Sequence, residues 1–470
     1  MFMPDNTVFV PVEAPNMTGE RTKNAQLPME ERLTSFQEIQ KTYTEEEAAR
    51  EASRCLGCPR KWCSLHCPAG MPVPDVIKKI REKDYEGAYE LICSASTLPE
   101  FCARLCPQEK QCQSECTRSI RTEAVGIGRL ERFAVEMHYA SGKEEAVGPD
   151  TGKSVAVVGS GPSGLSAAVA LRKMGHAVTV MERNAYPGGL LRYGIPGMKL
   201  DRDTLDRKID AMTRMGVTFM TCIEPSDELL ANYDAIVLAV GTGNARSLKL
   251  DGAQGAKGIH KAVDYLSGKA QDTAQGKDVV IIGGGDTGND CIGTAIRQGA
   301  KSITQIEMLP KVTKEQIVYN PMVEKPKEQK FDSSQEECMT KFLKDPHIYQ
   351  ATVKAVDTDQ EGNLTAVHVV HLEKGYDQNR RMTLTEIPGS EEILPCGLLV
   401  VAAGFIGPEE ETAKRFGVAT TPRSNIADTG YQTSVEKIFA CGDCRTGQSL
   451  VVKAMVDGRE CAKAVDCYLK

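Results

Sequence analysis

The stretch SVAVVGSGPSGLSAAVALRKMGHAVTVMER (residues 154–183) decides the fold. SVAVVG predicts a buried strand, PSGLSAAVALRKMG a helix, and HAVTVME a second strand. Gly159, Gly161 and Gly164 lie between the first strand and the helix, where they permit a tight turn, backbone approach to a pyrophosphate and close helix–strand packing. The stretch therefore predicts a doubly wound domain that binds phosphate at the helix N-terminus.

A carboxylate follows this unit. Glu182 ends the second strand, 23 residues after Gly159, where it can accept hydrogen bonds from ribose hydroxyls. A glycine-rich turn beside a surface glutamate is the alternative interpretation. Strand, turn, helix and acid in this order favour a dinucleotide site instead.

Two further segments suit the same ligand. Gly188 and Gly189, in NAYPGGLLRYGIPGMKL, offer backbone without side-chain obstruction, as close approach to a ligand requires. Gly442 and Asp443, in IFACGDCRTGQSLVVKAM, follow a short strand and precede a predicted helix. That arrangement can aim a carboxylate and a helix N-terminus at a phosphate–ribitol chain.

The glycine pattern occurs a second time, in DVVIIGGGDTGNDC. Gly283, Gly285 and Gly288 again lie between a predicted strand and a helix, and ITQIEM supplies the next strand. Two such units can hold two dinucleotides, and FAD beside a nicotinamide is the economical pair, because nicotinamide delivers two electrons together and FAD can release them singly. A doubly wound domain with an empty site is the alternative.

The end of the strand after the second loop predicts which nicotinamide is used. Glu307 lies there, followed by Met308 and Leu309, and a carboxylate at this position accepts a hydrogen bond from the 2'-hydroxyl of NADH. We therefore expect NADH rather than NADPH. Hydride transfer needs no protein acid or base, so no catalytic residue is predicted. The predicted cofactor-binding residues are Gly159, Gly161, Ser163, Gly164, Glu182, Arg183, Gly188, Gly189, Leu190, Gly194, Gly283, Gly285, Asp286, Thr287, Gly288, Glu307, Gly442, Asp443, Gln448 and Ser449.

Nine of the 17 cysteines fall between Cys55 and Cys116, in a long chain whose N-terminus does not resemble a secretory signal. Clustered thiols predict metal binding, either structural zinc or iron–sulfur clusters. Prolines after Cys67 and Cys106 resemble the Cys-Pro ending of ferredoxin-type sequences and favour iron–sulfur clusters. Cys93 lies at helical spacing and is predicted to be a small buried hydrophobe.

The other cysteines are interpreted differently. Cys441 and Cys444 form a C-x2-C pair around the glycine and aspartate, and a thioredoxin-like redox pair is an alternative to flavin contacts there. The remaining six are scattered singly and are predicted to be structural: Cys222, Cys291, Cys338, Cys396, Cys461 and Cys467.

Composition excludes several other functions. A formal net charge of −7 gives no electrostatic footprint for nucleic acid. The longest apolar runs are far shorter than the roughly 20 residues that span a bilayer, so we expect no membrane segment. The expected compartment is the cytoplasm.

Taken together, the cysteine module, VAVVGSGPSGLSAA, ERNAYPGGLLRYGIP, VVIIGGGDTGNDC and CGDCRTGQSLVVKAMVDGR resemble the small (beta) subunit of bacterial glutamate synthase from about Tyr43 onward. Related enzymes are the N-terminal half of dihydropyrimidine dehydrogenase and the large subunit of NADH-dependent ferredoxin:NADP oxidoreductase. The resemblance implies an α/β fold with two doubly wound, glutathione-reductase-like domains for FAD and NAD(P)H, preceded by a helical domain with two iron–sulfur clusters.

The resemblance also implies ligands and boundaries. Cys55, Cys58, Cys63 and Cys116 would hold one [4Fe-4S] cluster, and Cys67, Cys106, Cys112 and Glu131 the other, while Cys102 is not expected to ligate. Expected domains are 1–145 for the helical iron–sulfur domain with an N-terminal arm, 146–262 with 405–470 for FAD, and 263–404 for NAD(P)H.

The function implied is electron input. NADH would be oxidised at FAD, and electrons would pass through the clusters to the large (alpha) subunit of glutamate synthase, which makes glutamate from glutamine and 2-oxoglutarate. The C-x5-C-x3-C spacing from Cys106 to Cys116 resembles dihydropyrimidine dehydrogenase more, which leaves the subfamily open. One alternative is a subunit of an electron-bifurcating ferredoxin:NAD(P) oxidoreductase. Another is a non-catalytic assembly subunit with structural metal.

Overall fold

The computed structural model describes residues 19–23, 25–311 and 331–470, with the backbone alone for 317–319 and 324–326. Most of the predicted N-terminal arm, residues 1–18, lies outside the described residues. By residue contacts the chain divides into two compact units. The helical unit comprises Gln40–Glu145, Val451–Val456 and the described residues before Gln26, and the α/β unit comprises Gln26–Ile39, Ala146–Leu450 and Asp457–Lys470.

The α-helices are, in chain order, α1 (Met29–Arg32), α2 (Glu45–Ala52), α3 (Trp62–Leu65), α4 (Val73–Arg81), α5 (Tyr85–Ala95), α6 (Pro99–Leu105), α7 (Ile127–Ser141), α8 (Pro162–Lys173), α9 (Leu190–Tyr193), α10 (Arg202–Arg214), α11 (Asp227–Ala231), α12 (Ala262–Leu266), α13 (Asp286–Arg297), α14 (Ser333–Phe342), α15 (Glu410–Phe416), α16 (Asp443–Thr446) and α17 (Val451–Leu469). Short 3-10 helices lie at Gln108–Lys110 and Thr117–Ile120. Within the described part of the chain, no helix combines the length and apolar character needed to cross a bilayer.

The strands are β1 (Ser154–Val158), β2 (Ala177–Met181), β3 (Val217–Met220), β4 (Ala235–Leu238), β5 (Asn244–Ala245), β6 (Ile259–Lys261), β7 (Asp278–Ile282), β8 (Ser302–Glu307), β9 (Ile317–Tyr319), β10 (Glu324–Pro326), β11 (His347–Tyr349), β12 (Ala351–Thr358), β13 (Leu364–Tyr376), β14 (Met382–Glu386), β15 (Glu392–Pro395), β16 (Leu398–Val401), β17 (Phe405–Gly407), β18 (Asp428–Thr429), β19 (Gln432–Thr433) and β20 (Ile438–Ala440).

The helical unit packs α2 and α4–α7 around one apolar core. Val76, Ile77 and Ile80 have the spacing of one helix face, and all three lie on α4 and are 2% exposed. Local signals set the helix starts. Thr44 and Glu47 form a capping box at α2, satisfying two backbone N–H groups that a helix start leaves without partners.

The α/β unit contains two largely parallel sheets, as the sequence predicted. The first has seven strands in the order β18-β19-β20-β4-β1-β2-β3, with β20 to β3 parallel. The second has five parallel strands in the order β11-β8-β7-β16-β6. Nearly continuous apolar strands such as β1 and β7 suit burial on both faces of a parallel sheet.

A smaller antiparallel sheet, β12-β13-β14 with β15 against β13, follows the second nucleotide motif. The first parallel sheet takes its strands from 154–238 and 428–440, and the second from 259–401. The predicted boundary between an FAD domain and an NAD(P)H domain inside this unit stays a prediction.

The two compact units divide the chain differently from one expected domain boundary, which stays a prediction. The sequence placed all of 1–145 in the helical domain, but Gln26–Ile39, which we call the strap, belongs to the α/β unit. Its ends join where Leu27 N donates to Ile39 O at 2.9 Å, and Ile39 N donates to Met198 O at 3.0 Å. Long-range contacts, which helix-forming composition does not reveal, hold the strap against the α/β unit.

A buried ion-pair network also holds the strap. Arg32, 4% exposed, places Nε 2.9 Å from Glu337 Oε1 on α14. Arg297 on α13 places Nη1 2.7 Å from the other oxygen of Glu337 and donates from Nε to Ser35 O at 2.7 Å. One fully buried carboxylate is therefore paired with two guanidinium groups, as a buried charge requires.

Candidate functional site

The first glycine loop has the backbone that its sequence predicted. Gly159 has φ +101°, and a Cβ there would lie 2.5 Å from Ala239 O. A Cβ on Gly164 would overlap Gly159 O. Gly161 differs, because its φ is −68° and a Cβ would meet no protein atom within 4 Å. Packing thus explains two glycines, whereas the open space at the start of α8 fits the approach of a bound pyrophosphate.

The buried carboxylate of Glu182 contacts the first glycine loop through hydrogen bonds. It is 5% exposed and accepts hydrogen bonds from Ser160 N at 3.2 Å, from the Ser160 hydroxyl, and from Asn184 N at 2.9 Å. The Ser160 hydroxyl oxygen also accepts from Gly188 N at 2.9 Å. Sequence reasoning missed Ser160, although a small polar residue between the first two glycines was visible. A ribose contact by Glu182 stays a prediction.

The Gly188–Gly189 pair lies against the first loop. Gly189 has φ +52°, and a Cβ on it would lie 2.7 Å from Gly161 Cα. Leu190 begins α9 and is 39% exposed, and Gly194 caps the end of that helix. Predicted Arg183 is exposed and pairs with Glu409 at 2.9 Å.

The C-terminal corner meets the first nucleotide helix. Gly442 has φ +75°, and a Cβ on it would overlap Ser163 Oγ. Asp443 accepts a hydrogen bond from the Ser449 hydroxyl at 3.2 Å, and burial raises the pKa of Asp443 to about 6. Gln448 accepts from Phe405 N at 2.8 Å. The structure therefore brings Ser163, Gly442, Asp443 and Ser449 together. Gln448 directly precedes Ser449 in the chain.

Sequence reasoning missed the residues that fix this corner. Asp457 Oδ2 accepts from Gly442 N at 2.6 Å, and Asp457 Oδ1 lies 2.6 Å from Arg445 Nη2. Arg445 also reaches Asp428 Oδ1 at 3.1 Å and lies over the Tyr431 ring at 4.4 Å. The backbone N–H at the turn is thereby fixed by a charged network.

The C-x2-C pair in this corner does not form a disulfide. Both thiols are buried, and Cys444 Sγ donates to Leu238 O at 3.4 Å and to Cys441 O at 3.2 Å. The Cys441 side chain hydrogen-bonds that of Cys461 instead. Different partners for the two thiols favour the flavin-contact interpretation over a redox pair.

The second glycine loop repeats the first in its backbone. Gly283 has φ +118°, and a Cβ there would lie 2.5 Å from Ala402 O. A Cβ on Gly288 would overlap Gly283 O. Gly285 is the N-cap residue of α13, with φ −83° and open space where a Cβ would lie. Asp286 and Thr287 follow it and are exposed.

Glu307 is the last residue of β8, where the sequence placed it. Its carboxylate lies against Gly284, so that a Cβ on Gly284 would overlap Oε2, and Oε1 accepts from Leu309 N at 2.8 Å. Met308 is 43% exposed and Leu309 47% exposed. The end of β8 and the two residues after it therefore offer one carboxylate, that of Glu307, and the apolar side chains of Met308 and Leu309.

A buried lysine beside the second loop was not predicted. Lys199 Nζ lies 2.6 Å from Asp290 Oδ1 on α13 and 3.1 Å from Asp332 Oδ2. Burial raises the pKa of Asp290 to about 6, although Lys199 opposes this effect. The same lysine helps to hold the pKa of Asp332 below its ordinary value against the effect of burial.

The predicted ligands of the first cluster are brought together. A cleft in the helical unit is lined by Cys55, Cys58, Cys63 and Cys116, with Trp62 beside them. Burial raises the pKa of Cys55 to about 11 and that of Cys63 to about 12, and neighbouring thiols add to both shifts. Half-buried thiols lining one cleft suit a metal cluster, since metal coordination removes their protons.

The predicted ligands of the second cluster also lie together. Glu131 on α7 acts on the pKa values of Cys67, Cys106 and Cys112 and helps to raise each of them. Glu131 itself is 8% exposed, and burial holds its pKa well above the ordinary range. The donor chemistry, three thiols and one carboxyl, fits an iron–sulfur cluster. No three His, Cys, Asp or Glu side chains among the described residues are arranged to hold a single metal ion.

The other cysteines follow the prediction less closely. Cys93 is half-buried rather than buried, whereas its neighbour Ile92 on α5 is buried. Of the six scattered cysteines, four are buried, whereas Cys222 and Cys467 are exposed. All 17 cysteines lie in the described part of the chain, and none of them forms a disulfide.

Two family models match the chain. Residues 32–143 match the model described as dihydropyrimidine dehydrogenase domain II, 4Fe-4S cluster. Residues 153–458 match the model described as pyridine nucleotide-disulphide oxidoreductase. The predicted order of an iron–sulfur domain before a flavin and nicotinamide fold is confirmed.

Individual relatives are similar over most of the chain. The glutamate synthase [NADPH] small chain of Bacillus subtilis is 36% identical, over 96% of this chain and 97% of its own. Glutamate synthase [NADH] of Schizosaccharomyces pombe is 35% identical, over 93% of this chain but 22% of its own. A solved point mutant of FprA from Mycobacterium tuberculosis has a TM-score of 0.55 at 17% identity, over 67% of this chain and 84% of its own, which supports the fold. The chain is an NAD(P)H-dependent flavin and iron–sulfur oxidoreductase.

Proposed function

Because the chain belongs to the glutamate synthase small-chain family, we propose that it is the electron-input subunit of a glutamate synthase. It oxidises NADH at a bound FAD and sends the electrons through two [4Fe-4S] clusters to a large partner subunit. That partner makes glutamate from glutamine and 2-oxoglutarate. A cytoplasmic location is part of the proposal.

The observation that carries the proposal is the arrangement of thiols in the helical unit. Seven cysteines and one buried carboxyl form two groups of four, one around the cleft beside Trp62 and one around Glu131. A [4Fe-4S] cluster needs four protein ligands, so each group has the right number. A single structural metal would leave half of these side chains without a role.

The choice of NADH rests on the end of β8. Glu307 can accept a hydrogen bond from a ribose 2'-hydroxyl, and its charge would repel a 2'-phosphate. Met308 and Leu309 offer no cation to bind that phosphate. The names of the relatives include both NADPH and NADH, so they do not decide between the two. The preference for NADH therefore rests on the residues of this chain.

The chain's own residues position the cofactors. A bound flavin accepts two electrons from a nicotinamide and can release them singly. Gly161 and Gly285 leave room for the two pyrophosphates, and the N-termini of α8 and α13 stabilise their charge. The corner at Gly442 and Asp443 lies against Ser163, where it can bind the ribitol chain of FAD.

The partner is inferred from relatives. The Bacillus protein is named a small chain, and the Schizosaccharomyces protein contains a region like this chain within about a fifth of its length. We infer that the large subunit carries the amide and 2-oxoglutarate chemistry. Pull-down of the intact chain with a very large amidotransferase is the expected result, and recovery with a small flavoprotein would indicate a bifurcating enzyme instead.

Anaerobic reduction tests the proposal. Protein isolated without oxygen should contain flavin, iron and acid-labile sulfide, and NADH should bleach the flavin absorbance while NADPH does so much more slowly. Cys116→Ser should remove one cluster, whereas Cys222→Ser, at an exposed cysteine outside both groups, should keep both. A colourless protein that contains zinc would contradict the proposal.

A further inference from the structure

One stretch of the α/β unit contacts the surroundings of both glycine loops. We call residues 188–200 the connecting segment. Near its start, a Cβ on Gly189 would lie 2.7 Å from Gly161 Cα in the first loop. Near its end, Met198 is 1% exposed and packs on α13, so that a Cβ on Gly293 would overlap Met198 Cε. The segment therefore reaches from the first loop to the helix that follows the second.

Lys199 joins the end of this segment to two helices. Its Nζ lies 2.6 Å from Asp290 Oδ1 on α13 and 3.1 Å from Oδ2 of Asp332, the N-cap residue of α14. The Lys199 side chain is 19% exposed and Asp290 is 6% exposed, so salt and water screen the closer pair little. Although burial lowers the pKa of Lys199, the two carboxylates raise it by more, so the ammonium keeps its charge.

Backbone contacts with the strap hold the same end of the connecting segment. Ile39 donates from N to Met198 O at 3.0 Å, and a Cβ on Gly197 would lie 2.7 Å from Phe36 O. Lys199 therefore extends from backbone that is itself held in place. A cation on such backbone can fix the position of the helices whose carboxylates it binds.

Asp290 is close to the end of α13 that the proposed function assigns to NADH. It lies five residues after Gly285, which caps the helix and leaves open space for a pyrophosphate. At a rise of about 1.5 Å per residue, this is roughly 7.5 Å along the helix. The hydrogen-bonded turns of a helix move together, so a restraint on Asp290 also restrains Gly285.

We propose that Lys199 is a positioning residue that ties the nicotinamide-binding helix to the flavin-binding loop and thereby fixes the approach of NADH to the flavin. The proposal rests on the proposed function, because it takes FAD at the first loop and NADH at the second. In the reaction NADH loses a hydride and becomes NAD+, and the flavin gains that hydride. Lys199 forms and breaks no bond in this step. The rate depends on how donor and acceptor are placed, and an error of about 1 Å can cost roughly 100-fold.

A purely stabilising role is the competing interpretation. Two carboxylates on neighbouring helices repel each other, and an ammonium between them stabilises the fold whether or not it positions a cofactor. The two roles differ in the molecules that keep their flavin. Loss of a stabilising ion pair lowers the unfolding midpoint, whereas loss of a positioning contact slows hydride transfer in each folded molecule.

Anaerobic stopped-flow reduction of the full-length protein separates the two roles. Flavin absorbance is followed over a series of NADH concentrations, which gives a limiting rate of flavin reduction and a Kd for NADH. Flavin content and the thermal-unfolding midpoint are measured on the same samples. The limiting rate is then expressed per bound flavin, so that unfolded protein does not contribute to it.

Three variants change the contact. Lys199→Met removes the ammonium, and Lys199→Arg keeps a cation. The triple variant Lys199→Met, Asp290→Asn and Asp332→Asn removes all three charges, so the site stays neutral where Lys199→Met alone fails to fold.

Lys277→Met is the matched control. Lys277 Nζ lies 2.5 Å from Asp272 Oδ1 in an ion pair of the same unit. Lys277 directly precedes β7, whereas Gly283 follows the other end of that strand. The control therefore removes a lysine–aspartate pair at a distance from the second loop.

Lys199→Met and the triple variant are expected to reduce their flavin about tenfold or more slowly at saturating NADH, while their Kd for NADH stays close to that of wild type. Lys199→Arg should recover part of the rate, and Lys277→Met should match wild type. Wild-type limiting rates in Lys199→Met and in the triple variant would overturn the inference, as would slowing that saturating NADH removes. Wild-type flavin that NADH does not reduce would instead overturn the proposed function.

Discussion

The two glycine loops share one backbone and differ in the side chains behind it. Gly159 and Gly283 both have strongly positive φ, with the carbonyl of the residue that follows β4 or β16 lying 2.5 Å from where a Cβ would lie. In both loops the third glycine packs on the carbonyl of the first. The shared part is therefore set by the geometry of a strand, a turn and a helix.

The difference begins one residue after the first glycine. In the first loop Ser160 links Glu182 to Gly188 N, and Glu182 is 5% exposed. In the second loop Gly284 has no side chain, and partly exposed Glu307 lies against it. A closed loop suits a cofactor that stays bound, whereas a more open one suits a nicotinamide that must exchange.

The largest effect is expected at the glycines that face open space. Gly161→Ala and Gly285→Ala add a methyl group that meets no protein atom, so both variants should fold, but the methyl blocks a pyrophosphate. Gly161→Ala should be purified without flavin. Gly285→Ala should keep its flavin and raise the KM for NADH about tenfold or more, roughly 1.4 kcal/mol of lost binding.

Flavin absorbance per protein, thermal-unfolding midpoints and steady-state kinetics check these outcomes. Unchanged midpoints show that the variants fold. If both variants lose flavin, the two loops do not bind different cofactors. If both variants bind flavin and NADH normally, neither glycine lies beside a pyrophosphate.

A smaller effect is expected after β8. The double variant Met308→Arg with Leu309→Arg adds two cations where a 2'-phosphate would lie, so the ratio of kcat/KM for NADH to that for NADPH should fall by about tenfold. Comparison with Met308→Gln and Leu309→Gln, which add polarity without charge, isolates the effect of charge. A wild-type preference for NADPH would contradict the role given to Glu307.

The smallest effect concerns Asp290, whose counterpart in the first loop is Ser166. The pKa of Asp290 in the folded protein is about 6, above the ordinary value of 3.8, so the folded state binds this proton more tightly than the unfolded state does. Stability from this group is therefore fully present below about pH 4 and is lost as the pH rises through 6. Between pH 5 and 7 the loss is about 1 kcal/mol.

Asp290→Asn should flatten this dependence, measured as the thermal-unfolding midpoint between pH 5 and 7. Asp210→Asn, at an exposed acid on α10, should keep the wild-type slope. If the midpoint of Asp290→Asn depends on pH as strongly as that of wild type, the group that binds the proton is not Asp290.

The nucleotide loops could be predicted from sequence because their geometry is local. Gly159 to Glu182 form a continuous strand, turn, helix and strand, and Glu307 ends its strand where expected. The strap could not be predicted, because its helix-forming residues gave no sign of distant Met198 and Glu337. The run from Met29 to Leu56 is rich in helix formers and so predicts helix, whereas α1 covers only four residues of it.

In the candidate site, too, features with a local signal could be predicted and features that depend on long-range contacts could not. Clustered cysteines predicted metal binding, and family resemblance supplied the two groups of ligands. Spacing gave no signal for Asp457 at Gly442 or for Lys199 at Asp290, because each pair lies far apart in the chain. Ser160 was visible between two glycines, but its bond to Gly188 depends on how the loop folds.

Because the strap precedes the helical unit in the chain, the α/β unit cannot be expressed whole as one continuous fragment. A gene fragment starting at Ala146 would omit Arg32 and leave Glu337, a fully buried carboxylate, with Arg297 as its remaining guanidinium partner in the network. Losing one of its two guanidinium partners leaves this buried carboxylate with weaker compensation and destabilises the fragment. A soluble fragment for crystallisation or for flavin exchange should therefore carry Gln26–Ile39, supplied in trans as a peptide or joined through a new linker.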